Sequence, residues 1–216
     1  DLMYLSTTDY MQHKYPPGSA GANGFYRMMD HYLGQLDALG AVIVIVADHG
    51  MRDKHLRNGA PDVIYLQDVL DGEFGAGSTR VILPITDPYV VHHGALGSFA
   101  TVYAQEQAVE KVSALIAALE GIDAVHTRAE GCARFELPPD RMGDLIVLSG
   151  GPQGSKVIGT SRAKHDLSGL TEPLRSHGGL TEQTVPIIVN RKVQDFPQYP
   201  RNFDAFFIGC NCISET

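Results

Sequence analysis

Three short stretches of this chain carry side chains that do chemistry, at spacings that permit it: Asp9-x-x-x-His13, Asp48-His49-Gly50 and His177-Gly178-Gly179. A carboxylate oxygen beside an imidazole nitrogen is a donor pair that suits zinc or a similar divalent cation. On a helix, Asp9 and His13 leave one face about one turn apart; in a loop the same separation still lets both reach one ion. Together the three stretches suggest a two-metal centre, with Asp9, His13 and His177 on one ion and Asp48 and His49 on the other. Two cations about 4 Å apart clamp the attacking and leaving oxygens of a phosphoryl transfer. Asp48 and His49 alone fall short of the three protein ligands that a catalytic zinc usually takes. The pattern therefore calls for one more carboxylate, with Asp53 and Asp166 as candidates, although neither follows a buried strand. Plainer readings stand beside these: Asp9 as a helix N-cap, and Asp48-His49-Gly50 as a surface turn.

Such residues need a scaffold that gathers distant segments at one edge. Val42-Ile43-Val44-Ile45-Val46-Ala47 is too short to cross a membrane and has no polar alternation, so it reads as a strand buried on both faces. Ligands of open α/β sheets collect outside the carboxyl ends of the strands, where Asp48 and His49 would arrive. Gly50 lets the backbone turn away. Leu2-Met3-Tyr4-Leu5 is a shorter strand candidate that runs toward Asp9. Pro16-Pro17-Gly18 breaks the chain, and the pattern then predicts a helix over 22–39. Its stripe of Phe25, Met28, Met29, Tyr32, Leu33, Leu36 and Leu39 would pack in the core, with His31 off the stripe. Strand, helix and strand make a βαβ unit.

Farther on, 52–61 reads as a polar loop holding a solvated His55, and 62–70 as a short amphipathic helix. Residues 72–78 form a glycine-rich break. Strands at 81–83, 99–103 and 122–126 and a helix over 105–119 suggest an inserted α+β cap lobe spanning 79–137. The core α/β domain would comprise 1–78 and 138–205, with buried strands at 144–148 and 185–189 and a tail at 206–216. His92-His93 lies in the insert with no cysteine or carboxylate cluster nearby. Gly150-Gly151-Pro152-Gln153-Gly154 lacks the Lys-Ser/Thr of a nucleotide loop.

The 216 residues allow one good core and a small second lobe. A net charge of -8 argues against nucleic acid as a partner. It leaves room for a small phosphorylated ligand, because a bound metal outweighs it locally. No apolar run approaches the roughly 18 residues of a membrane helix, so no membrane partner is expected. The 3 cysteines, Cys132, Cys210 and Cys212, are odd in number and lack paired spacing, which favours a reducing, cytoplasmic setting. Zinc is the default for this donor set, with manganese or iron as alternatives. A homodimer is left open.

The order Asp-x-x-x-His, Asp-His-Gly and a late His-Gly resembles the alkaline phosphatase superfamily, in its nucleotide pyrophosphatase/phosphodiesterase-like branch. The stretches Tyr4-Leu5-Ser6-Thr7-Thr8-Asp9-Tyr10-Met11-Gln12-His13-Lys14, Asp48-His49-Gly50-Met51 and Pro173-Leu174-Arg175-Ser176-His177-Gly178-Gly179 are similar to the phosphonoacetate hydrolases of that branch. The likeness runs from the start of the chain to about Asp204. It implies an alkaline-phosphatase-like, mostly parallel sheet flanked by helices. It implies a metal-dependent hydrolase that cleaves the carbon–phosphorus bond of a small phosphonate, phosphonoacetate, to acetate and phosphate. Two divalent cations, zinc by default, would be held by Asp9, His13 and His177 and by Asp48 and His49. Asp9, His13 and His177 would also lie beside the substrate.

The family's nucleophilic threonine, the third ligand of the second metal and the lysines that grip the substrate carboxylate fall upstream of the position of Asp1. No catalytic nucleophile is therefore expected here, and Thr7 and Thr8 do not occupy its place. The chain opens on Asp1 and is expected to be the C-terminal portion of such an enzyme, inactive by itself. The alternatives are a phosphodiesterase or phosphomutase of the same superfamily, or an inactive metal-binding fragment.

Overall fold

In the computed structural model, the described residues are 1–85, 96–150, 155–165, 167 and 170–214. His92-His93, Asp166 and most of the turn at 150–154 lie outside them. In chain order the elements are α1 (Tyr10–Lys14), α2 (Ala20–Ala38), β1 (Val44–Val46), β2 (Arg52–Asp53), β3 (Val63–Tyr65), α3 (Leu66–Phe74), β4 (Thr79–Ile82) and β5 (Phe99–Ala104). After them come α4 (Val109–Ala117), β6 (Ile122–Thr127), α5 (Arg128–Phe135), β7 (Leu145–Ser149), β8 (Val157–Gly159), β9 (Arg175–Ser176), β10 (Ile187–Val189) and α6 (Ala205–Asn211). The architecture is α/β, with helices beside small sheets. Two compact units divide it: Asp1–Gly50 with Gln183–Thr216, and Met51–Glu182. No described helix is long and apolar enough to cross a membrane.

In the first unit, β1 pairs antiparallel with β10, Ile45 opposite Ile188. Asn190 pins the pair: its Oδ1 accepts from Ile43 N at 2.7 Å, and its Nδ2 donates to Ala41 O at 2.9 Å. Helix α6 lies so close to β1 that a Cβ on Gly209 would stand 3.1 Å from Val44 Cγ2. The parallel neighbour expected for 42–47 is not seen among the described residues. Leu2-Met3-Tyr4-Leu5 is exposed and forms no strand, so β1 takes a partner that returns from the far end of the chain. Nor is β1 covered on both faces, since Ile45 is 38% exposed and its partner Ile188 54%.

Helix α2 starts at Ala20, earlier than the apolar pattern suggested, because Ser19 Oγ caps it by accepting from Ala22 N. Its stripe is partly covered among the described residues, with Phe25, Met29, Leu33 and Leu36 half-buried. Ala22 is the buried residue of the helix, whereas Met28, Tyr32 and Leu39 are exposed. The described buried apolar residues of this unit are Ala22, Ile208 and Cys212.

The second unit is organised around a four-stranded sheet in the order β4-β5-β7-β6, antiparallel throughout. Strand β7 is buried along its whole length, as its unbroken apolar run predicts. Leu66, Leu70, Val102, Val112, Ile116, Leu145 and Val147 form the core, so α3 and α4 turn their apolar sides to the sheet. Residues 62–70 are not one helix. Val63-Ile64-Tyr65 is β-branched and aromatic and pairs in parallel with β8, and the helix begins only at Leu66. Helix α5 was not anticipated, although Thr127 and Glu130 form the capping box that announces it.

Candidate metal centre

Asp9 stands at the N-cap of α1, yet its carboxylate makes no capping bond. Its carbonyl accepts from Gln12 N and His13 N, and the Tyr10 N–H goes to Thr8 Oγ1 instead. The helix uses the backbone of Asp9 and leaves the side chain to do something else. Asp9 Oδ2 lies 3.1 Å from His13 Nε2, as the one-turn spacing predicts, and 3.9 Å from His49 Nε2. Asp48 Oδ2 lies 3.6 Å from the same His49 nitrogen. Four of the predicted residues, Asp9, His13, Asp48 and His49, thus converge within the first unit.

His49 Nδ1 sits 3.0 Å from the Gly50 carbonyl oxygen. A carbonyl only accepts, so Nδ1 carries a proton, which leaves Nε2 as the ring atom available to a metal. Nε2 faces the carboxylate oxygens of Asp9 and Asp48. Electron-rich atoms this close repel unless a proton or cation lies among them. A metal-bound histidine commonly donates its other N–H to a backbone carbonyl or carboxylate, and His49 has that arrangement. The donor set of carboxylate oxygen and imidazole nitrogen fits a divalent cation of the zinc type. Asp48 Oδ1 is engaged by His49 N at 3.1 Å, which turns Oδ2 toward the imidazole. The imidazoles of His13 and His49 are mostly covered, while the carboxylates of Asp9 and Asp48 are 48% and 83% exposed.

His177 belongs to the second unit, directly after β9, which pairs antiparallel with β2. It is half-buried. Its carbonyl accepts from Ser98 N at 2.8 Å, and Gly178 follows at φ +98°, a backbone that favours glycine. Of the candidates for an extra carboxylate, Asp53 is ion-paired with the buried Arg175. His55 Nδ1 is occupied by the Leu56 carbonyl at 2.9 Å.

The polar loop expected over 52–61 hides a residue the sequence did not flag. Lys54 is fully buried, with Nζ 2.9 Å from Ser98 Oγ and 3.2 Å from Glu182 Oε1. Burial pushes its pKa below the usual lysine value, while the Glu182 carboxylate pulls the other way. Nothing in the local sequence separates it from a solvated lysine.

A family model described as type I phosphodiesterase / nucleotide pyrophosphatase matches residues 2–179. The chain belongs to that family. Within the type I phosphodiesterase / nucleotide pyrophosphatase family, it is similar to phosphonoacetate hydrolase from Sinorhizobium meliloti 1021, solved with phosphonoformate and with phosphonoacetate. In both structures the identity is 58% and the TM-score 0.90, over 96% of this chain and 50% of that one. Human ectonucleotide pyrophosphatase / phosphodiesterase 5 shares the fold at 18% identity and a TM-score of 0.63, over 99% of this chain and 54% of that one. The chain thus spans about half the length of the solved family members it matches.

Proposed function

We propose that this chain carries part of the dinuclear metal centre of a hydrolase acting on the carbon–phosphorus bond of phosphonoacetate. Asp9 and His13, joined by His177, hold one cation; Asp48 and His49 hold the other. The observation that carries this reading is the His49 imidazole, fixed by the Gly50 carbonyl with its Nε2 turned toward the oxygens of Asp9 and Asp48. The 58% identity to a phosphonoacetate hydrolase supports the choice of reaction.

Divalent cations bound there, zinc by the donor set, supply positive charge for the oxygens of a transferring phosphoryl group. The protein's own part is positional. Helix α1 and its N-cap hold His13 and Asp9 one turn apart, the Gly50 carbonyl orients the His49 ring, and Asp9, His13 and His177 lie beside the substrate. Expelling a carbanion from phosphorus requires the adjacent carboxylate to take up charge, so cationic groups must also face that carboxylate. The odd number and unpaired spacing of Cys132, Cys210 and Cys212 support a reducing, cytoplasmic setting.

The family match favours a second reading, phosphodiester hydrolysis at the same centre. Assay of the whole encoded protein against phosphonoacetate and a nitrophenyl phosphodiester separates the two. Release of acetate and phosphate as the faster reaction is expected. Predominant diester turnover would overturn the substrate assignment.

A further inference from the structure

A closed ring of hydrogen bonds surrounds the turn that presents His177. Lys54 Nζ donates to Ser98 Oγ at 2.9 Å and to Glu182 Oε1 at 3.2 Å. The Ser98 backbone N–H donates to the His177 carbonyl at 2.8 Å. Glu182 Oε2 accepts from Gly179 N at 2.8 Å. The carbonyl before Gly178 and the N–H after it are therefore both held by residues that Lys54 ties together. Ser98 Oγ also donates to the Lys156 carbonyl at 3.0 Å, so this residue is anchored on a second side.

The turn has no slack. A Cβ on Gly179 would lie 2.9 Å from Glu182 Oε2 and 3.0 Å from Ser98 Cβ, and one on Gly97 would lie 3.1 Å from the His177 carbonyl oxygen. Lys54 and Glu182 are 0% and 2% exposed. A buried ion pair gains little stability over an apolar pair of the same volume, so stability alone does not explain its presence.

We propose that the buried Lys54–Glu182 pair positions His177, holding the His177-Gly178-Gly179 turn through Ser98 on one side and the Gly179 amide on the other. Lys54 and Glu182 are positioning residues that act through this turn. The proposal rests on the reading of His177 as a metal ligand given above.

The test is zinc affinity by chelator competition, read beside thermal melting, in the whole encoded protein. Lys54→Met/Glu182→Leu removes the charged part of the ring and leaves no buried charge unpaired, since Arg52, which also faces Glu182, is exposed to solvent. It leaves the buried Gly179 N–H without its acceptor and so is expected to melt below the parent, and, measured while still folded, to lose about 10–100-fold in zinc affinity, the usual effect of removing a group that orients a metal ligand. Lys54→Met/Glu182→Gln keeps an acceptor for the Gly179 N–H and is expected to recover most of that loss. If the Leu variant fails to fold, Ser98→Ala makes the smallest cut in the ring, with a loss expected toward the lower end of that range. Parent affinity in these variants overturns the proposal. His177→Ala separates the two layers. Unchanged zinc content in that variant takes down the ligand reading and this proposal with it. Loss of zinc there beside parent affinity in the ring variants takes down the proposal alone.

Discussion

The carboxylate of Asp9 lies 3.9 Å from the imidazole of His49, although helix α2 and strand β1 separate them along the chain. The same oxygen is 3.1 Å from His13. Asp9 is thus the residue through which the two halves of the candidate centre meet. Removing it tests the centre most directly. Asp9→Ala is expected to weaken zinc binding by more than about 100-fold, because even groups that merely orient a ligand cost about 10–100-fold. Elemental analysis should find one bound metal fewer per chain. Unchanged metal content would count against the assignment.

His165 makes the stability of the second unit sensitive to acid. It is buried, and its Nε2 accepts from Thr160 N at 2.9 Å, a bond that needs the neutral ring. Burial, then the nearby Lys164 charge, holds its pKa below the ordinary 6.5. On acidification the unfolded chain takes up the proton first. The contribution of His165 is therefore intact above about pH 6.5 and is lost as pH falls through the folded value. Melting temperatures of the parent and His165→Gln, compared between about pH 7 and about pH 5, should show a smaller fall in the variant. Parallel curves would refute a buried neutral imidazole.

Two glycines are expected to respond to alanine with opposite signs. Gly178 sits at φ +98°, so Gly178→Ala should lower stability by about 1–2 kcal/mol or more. Gly34 lies within α2 with nothing within 4 Å of an added Cβ, so Gly34→Ala should raise it by about 0.5–1 kcal/mol. Urea denaturation midpoints give both signs. A stabilised Gly178→Ala would contradict the turn geometry.

Leu145 opens the buried strand at the middle of the four-stranded sheet and is 0% exposed. Leu145→Ala should cost about 2–5 kcal/mol, the range for a large side chain removed from a packed core. An effect below about 1 kcal/mol in chemical denaturation would mean the cavity collapses far more readily than such cores do.

Much of this protein was legible in its residues because the signals are local. The Asp9-x-x-x-His13 spacing, the β-branched run before Asp48, the apolar run of β7 and the glycines after His177 each depend on neighbours a few positions away. Thr127 and Glu130 carried an equally local signal for α5, and it was missed. Tertiary structure alone decided which strand lies beside β1 and that Lys54 is buried against Glu182. The physical reason is that pairing and burial are set by what arrives from far along the chain. Val44 meets Val189 and Lys54 meets Glu182, and no window of sequence contains both members of either pair.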